Sequence, residues 1–304
     1  MSFGGDADES VSAAMYAQCR DTGINFFDCA NVYSGGRAEE ILGKLMASER
    51  DDLVITTKVA GNMGSDVNRH GTSGRHIALE VENSLKRLNT DRIDLYFLHH
   101  FHEDTPIEET LRALDKLVTQ GKVLYPAVSN WSAWQIALAL GISESRGWAR
   151  FACIQPMYNL VKRQSEVELL PLAQHQGLGV IPYSPLGGGL LSGKYGVGKR
   201  PKDGRLLSLT NYIKRYANEG YYEVADRFVE YAEQQGVHPA TLAIAWVAGH
   251  HSVTAPIIGS RNVDQLKHAL AAAEFDLTEE MRIEISALSP QPPLATDRSE
   301  EVPG

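Results

Sequence analysis

Short apolar runs alternate along the chain with longer stretches whose apolar positions recur at helical spacing. Runs at 24–28, 53–58, 93–99, 124–129, 152–155, 179–183 and 256–259 read as strands. They are nearly all apolar rather than alternating, which suits strands covered on both faces of a parallel sheet. A first helix is expected over 8–20, stopping before Gly23. A second begins at Ser73 with Ile77, Val81, Leu85 and Leu88 on its inner face. A third should start at Thr105-Pro106-Ile107-Glu108, with Thr105 as N-cap, Pro106 in the first turn and Glu108 completing a capping box. Leu111, Leu114, Leu117 and Val118 form its apolar stripe, and Gly121 can take the left-handed conformation that ends it. Strand–helix alternation with a period of roughly 30 residues predicts a βα-repeat fold closed into a barrel.

Two stretches break the rhythm. Residues 187–221 are long and carry Gly, Lys, Arg and Tyr, so a loop with a functional use is expected there. Residues 290–304 contain four prolines among mostly polar residues and are expected to be a poorly ordered tail. The remainder, 1–289, reads as one domain.

The 304 residues carry a formal charge of −9 and no long basic run, which argues against nucleic acid as the main partner. Cys19, Cys29 and Cys153 have neither zinc spacing nor a disulfide framework, and three reduced thiols in a cytoplasmic protein is the expectation. No apolar run reaches the ~18 residues a membrane span needs. His99, His100 and His102 do not suggest a metal, because neighbouring strand residues point to opposite faces and no carboxylate is in register.

In a βα-barrel the chemistry lies at the C-terminal ends of the strands. Those ends deliver Asp28 (with Tyr33 five residues on), Lys58, His99, Ser129-Asn130, Gln155 and Tyr183-Ser184. Each has an ordinary reading by itself: Asp28 a loop cap, Tyr33 a packing residue, Lys58 a solvated strand end, His99 a satisfied core histidine. Together on successive strands they suggest more. A lysine closing an apolar strand is costly unless paired, and Asp28 is its natural partner. An ammonium beside a phenol favours the phenolate, so Tyr33 is expected below its usual value of about 10. Such a tyrosine can protonate a carbonyl oxygen as hydride reaches the carbon, with His99 orienting that oxygen.

These residues carry a resemblance to the aldo-keto reductase family over nearly the whole chain. Asn25-Phe26-Phe27-Asp28 through Tyr33, Thr56-Thr57-Lys58, and Asp91 through His99 resemble that family's Asp-to-Tyr, lysine-strand and histidine-strand signatures. The resemblance implies a (β/α)8 TIM barrel that reduces an aldehyde or ketone with NADPH. Tyr33 would be the general acid, Lys58 its tuner, Asp28 the holder of Lys58, and His99 the orienting group. It further implies that Ser129, Asn130 and Gln155 hold the nicotinamide carboxamide and that Tyr183 stacks on the ring. Ser184, Leu186, Gly187, Gly189 and Lys194 would lie along the pyrophosphate. Gly259, Ser260, Arg261 and Gln265 would hold the 2′-phosphate and adenine, and Trp131 and His100 would line the substrate pocket.

Three departures stand out. Tyr125-Pro126-Ala127-Val128 replaces the usual Ile-Gly or Val-Gly before Ser129, and Pro126 removes a ladder donor. Ala269 stands where many relatives have Asn. Met1 to Gly5 leads straight into the first helix, so the chain as written is expected to lack the N-terminal hairpin and first barrel strand. Seven strands would then stand in place of eight, leaving open edges at 24–28 and 256–259 prone to self-association. A regulatory subunit resembling ion-channel β-subunits and an inactive truncated reductase are the alternative functional readings.

Overall fold

A computed structural model describes residues 2–298 and 300; part of the expected tail, with Met1, therefore lies outside the described residues. The chain divides into two compact units, one of Met1–Gln155, Gln176–Gly179 and Gly259–Leu266, the other of Pro156–His175, Val180–Ile258 and Lys267–Gly304.

The first unit is built on parallel strands β1 (Phe26–Asp28), β2 (Val54–Val59), β3 (Ile93–Leu98), β4 (Val123–Ser129) and β5 (Cys153–Gln155). They pair in sequence order, and β6 (Gly179–Val180) follows β5. The helices between them are α1 (Glu9–Asp21), α2 (Arg37–Leu45), α3 (Gly74–Leu88), α4 (Ile107–Thr119) and α5 (Ala133–Arg146). Asp8 caps α1 by accepting from the Val11 amide, and Ser73 caps α3 by accepting from the His76 amide. Ile77, Val81, Leu85 and Leu88 are buried as their spacing predicts. Gly43 lets α2 approach α3 closely, because a Cβ there would lie 2.6 Å from the Leu88 carbonyl.

Four expectations are corrected. Helix α4 is capped by Pro106 and not Thr105, without a side-chain cap, and Glu108 reaches outward to Arg146 instead. Residues 179–183 form a strand only over Gly179–Val180, and 256–259 form none. The physical reason is a missing return path. The Ala255 amide donates to the Val180 carbonyl, but Pro182, which would return a bond to Ala255 in a parallel ladder, has no N–H, and the Val180 amide bonds to the Thr254 hydroxyl. Six strands rather than seven are thus found among the described residues, with β2 as the strand partner of β1. Residues 187–221 are not a plain loop either. A 3-10 turn over Gly187–Ser192 leads to short helices α7 (Arg205–Ser208) and α8 (Thr210–Arg215), numbered after α6 (Leu169–Gln176), and then to α9 (Gly220–Gln234).

Pro126 proves harmless. Its carbonyl accepts from the Ala152 amide, so the side that lacks an N–H faces the point just before β5 begins. The second unit packs around Trp246 of α10 (Pro239–Ala248), whose ring meets Tyr158 at 5.2 Å and whose carbonyl accepts from Arg282. Helices α11 (Val263–Leu270) and α12 (Glu279–Ala287) follow. Among the described residues, no helix is long and apolar enough to cross a membrane.

Candidate active site

The four residues singled out as catalytic come together in the first unit. The Lys58 ammonium, fully buried, lies 2.6 and 2.7 Å from the two Asp28 carboxylate oxygens and donates to the Cys29 carbonyl at 2.7 Å. That is a complete donor set for an ammonium, whose three N–H bonds all find acceptors. Its Nζ sits 5.1 Å from the centre of the Tyr33 ring. Tyr33 in turn meets His99 edge-on at 5.9 Å. Strand pairing explains the convergence, since Asp28 lies opposite Thr56 and Lys58 opposite Phe97 in adjacent parallel strands.

The Asp28 carboxylate has two further donors. Thr56 reaches it at 2.8 Å and the Gln155 side-chain amide at 2.9 Å. Thr56 was not foreseen, although its place two residues before Lys58 puts it on the same strand face. Gln155 had been assigned to the nicotinamide alone; here its Nε2 is committed to Asp28. Asn130, at φ 60, donates to the His99 carbonyl and to the Ser129 hydroxyl, which itself donates to the Gln155 carbonyl.

Burial and charge together set the protonation states. Burial pushes the Asp28 carboxyl upward, but the Lys58 charge and the bonds from Lys58, Thr56 and Gln155 outweigh it and hold the group below its usual range. Burial likewise works against the Lys58 ammonium and is outweighed by Asp28 and Tyr33, so Lys58 is held above the lysine range. For Tyr33 the balance runs the other way from expectation. Burial pushes its phenol up to about 12, and the Lys58 charge offsets only part of that rise. Burial and then the Lys58 charge push His99 down to about 3. At neutral pH the site therefore holds an ion pair, a protonated phenol and an uncharged imidazole. That arrangement can supply one proton and one neutral hydrogen-bonding ring to an oxygen atom.

Beside it, His100 stacks on His99 at 4.8 Å with the rings 6° from parallel. Trp131 is buried edge-on against Phe101 and Phe151. The indole Nε1 of Trp131 and the Nδ1 of His99 are buried without hydrogen-bond partners. Near Trp131 and following it by one helical turn in α5, Trp134 also meets Phe101, and its ring is largely exposed.

In the second unit, Tyr183 bridges to Met157, and Ser184 adopts φ 59 while its carbonyl accepts from Asn159. Asn159 is fully buried and also bonds Tyr216; it anchors the start of the glycine turn and carried no signal in sequence. Leu186 precedes Gly187, Gly188 and Gly189, which lie at φ 58, 70 and 101. A Cβ on Gly188 would strike Tyr212 at 2.7 Å, whereas Gly189 has nothing closer than 3.7 Å. Lys194 is exposed just beyond. In the first unit, Ser260 is buried, Gly259 is exposed, and the Arg261 amide donates to the Gln265 side chain at 3.2 Å. Among the glycines at 187–189, Gly189 leaves main chain open in the way close approach of a dinucleotide phosphate requires, whereas Gly188 is needed for packing against Tyr212.

A family model described as the aldo/keto reductase family matches residues 1–289. A probable voltage-gated potassium channel subunit beta of Oryza sativa subsp. japonica is 37% identical across 98% of this chain and 93% of its own. An uncharacterized oxidoreductase of Bacillus subtilis is 36% identical across 96% of this chain and 91% of its own. A versiconal hemiacetal acetate reductase of Aspergillus parasiticus is 31% identical across 90% and 84%.

Proposed function

Because the chain belongs to the aldo/keto reductase family of TIM-barrel oxidoreductases, we propose that it reduces an aldehyde or ketone to the alcohol with NADPH, using Tyr33 as the proton donor. The observation that carries this reading is the fully buried Lys58 ammonium, paired with Asp28 and set 5.1 Å from the centre of the Tyr33 ring. When bound, the reduced nicotinamide supplies hydride to the carbonyl carbon. Tyr33 gives its phenol proton to the carbonyl oxygen. The Lys58 ammonium stabilises the phenolate left behind, and Asp28 keeps that ammonium charged. The uncharged His99 ring hydrogen-bonds the same oxygen and fixes its direction. Ser129, Asn130 and Gln155 would hold the carboxamide and Tyr183 would stack on the ring. Ser184, Leu186, Gly187, Gly189 and Lys194 would hold the pyrophosphate; Gly259, Ser260, Arg261 and Gln265 would hold the adenosine end. Trp131 and His100 would line the substrate pocket. The direct test is a panel of carbonyl compounds assayed by nicotinamide absorbance with NADPH and with NADH. No oxidation of either nucleotide by any carbonyl would sink the reading.

NADPH is expected to bind more tightly than NADH, because the planar Arg261 fork suits a 2′-phosphate. Arg261→Ala should weaken NADPH by about 10-fold or more, the scale of a lost hydrogen bond to a charged group, and NADH by much less. Equal weakening of both, by fluorescence titration, would remove the role of Arg261. Residues 187–221 should become slower to cleave in limited proteolysis when NADPH is added, since ligand-ordered segments are more mobile when empty. Cleavage indifferent to the nucleotide would separate this segment from the cofactor.

A second reading has an observation in its favour. The rice relative, and an Arabidopsis thaliana relative 38% identical across 90% of this chain, are named as probable channel β-subunits. On that reading the nucleotide site serves regulation of a partner; fast turnover of a simple aldehyde would discriminate against it.

A further inference from the structure

Asn31 stands two residues before Tyr33 and is fully buried. Its amide N–H donates to the Lys58 carbonyl at 3.2 Å, and its side-chain Nδ2 donates to Glu80 Oε2 at 2.9 Å. Glu80 lies on α3 with its other oxygen accepting from Asn83. Two turns on, Arg87 approaches Glu80 Oε2 at 3.7 Å and bonds Glu39 Oε2 of α2 at 2.6 Å. Glu39 Oε1 accepts from the Thr57 hydroxyl at 2.5 Å. Thr57 precedes Lys58 on β2 and so points to the opposite face of the sheet. Hydrogen bonds and one ion pair, the 3.7 Å approach of Arg87 to Glu80, thus link Asn31 through Glu80, Arg87 and Glu39 to Thr57, and the main chain closes the circuit at Lys58.

The segment carrying Tyr33 has little regular backbone of its own. Ser34, Gly35 and Gly36 follow it at φ 51, 65 and 97. Its far end also rests on this network, because a Cβ on Gly36 would lie 2.8 Å from Arg87 Cδ. Both flanks of Tyr33 therefore seat on the same buried cluster, in which Glu39 and Glu80 are 0% and 1% exposed. The Asn31 Oδ1 is buried without a hydrogen-bond partner, so the Nδ2–Glu80 bond is the contact that ties this side chain down.

We propose that Asn31 is a positioning residue that registers Tyr33 against Lys58 by hydrogen-bonding the buried Glu80 carboxylate; this rests on the reading of Tyr33 as proton donor. Asn31→Asp sets two carboxylates together and should lower kcat by about 10- to 100-fold, the scale of a misplacement of roughly 1 Å, while NADPH affinity stays within about two-fold. The exchanged pair Asn31→Asp with Glu80→Gln restores one donor and one acceptor across the contact and should bring kcat back to within about three-fold of the parent. A merely structural role would lower the melting temperature while leaving the kcat of the folded protein unchanged. Unchanged kcat in Asn31→Asp, or a double variant no better than the single, overturns the proposal. Should Asn31→Asp fail to fold, Asn31→Leu removes the donor without adding charge and carries the same expectation for kcat and NADPH affinity. Crystal structures of the parent and variant decide the matter without turnover. The Tyr33–His99 ring separation, 5.9 Å here, should change by about 1 Å in the variant. An unmoved Tyr33 rules the proposal out, whereas a parent without carbonyl turnover would refute only the functional reading.

Discussion

Tyr33→Phe should lower kcat for carbonyl reduction by at least about 100-fold and leave NADPH affinity nearly unchanged, the scale on which a positioned general acid acts. The substitution removes the hydroxyl and keeps the ring that meets His99 at 5.9 Å. Burial pushes the phenol up to about 12, so removing it is expected to flatten no limb of the pH profile in the neutral range. Steady-state rates together with nucleotide titration check both halves. A variant that kept near-full turnover would show that the proton comes from elsewhere, with water or His99 as the next donor to test.

Lys58→Met is expected to be as damaging to turnover and, in addition, to stability. Asp28 would be left buried without its cation, a situation that costs about 3–5 kcal/mol in comparable buried pairs. The pH dependence has a definite sign. In the parent, the depressed Asp28 contributes stability that is full above the ordinary carboxylate range and lost only as pH falls through its lowered value. The raised Lys58 contributes stability that is full below the ordinary lysine range and lost as pH rises through its elevated value. Between roughly pH 5 and 9 the pair's contribution is therefore flat. In the variant the burial of Asp28 is opposed only by the Thr56 and Gln155 bonds, its carboxyl moves up, and stability falls as pH rises through the carboxylate range and beyond. Denaturant unfolding of parent and variant at pH 5 and pH 8 should show the larger gap at pH 8. An equal gap at both would mean that Asp28 is neutralised by some other group.

The clustering of Asp28, Lys58 and His99 was legible in the sequence because each stands at or next to the end of an apolar strand, where a charged or polar side chain needs a partner, and Tyr33 follows five residues after the first of them. Lys58 is the clearest instance, since a buried ammonium implies a partner, and the partner is where the preceding strand ends. The strand order was legible for the same reason that the helices were: periodicities of two different kinds alternate without interruption from Gly23 to Gln155. What escaped lies in the side-chain bonds between elements distant in sequence. Thr56, Asn31 and Asn159 are ordinary residues until the fold supplies Asp28, Glu80 and Ser184 as partners. The sign of the Tyr33 shift also escaped, because the charge of Lys58 can be read from a string of letters but the desolvation that exceeds it cannot. Residues 256–259 misled through composition: they are apolar enough for a strand, but Pro182 on the facing segment lacks the N–H the ladder needs and the Val180 amide is taken by Thr254.

The sealed position of Lys58 has a chemical consequence for a protein proposed to handle aldehydes. Amines condense with aldehydes when they are uncharged and within reach, which is how lysines become Schiff-base nucleophiles. Lys58 meets neither condition: it is 0% exposed, held above the lysine range, and engaged by Asp28 and the Cys29 carbonyl. Surface amines such as those of Lys44 and Lys86 stand open to such adducts. The burial that makes the ion pair expensive to assemble thus also shields Lys58 from its own substrate, so the lysine on which the proposed turnover depends is kept from forming a Schiff base with a reactive carbonyl.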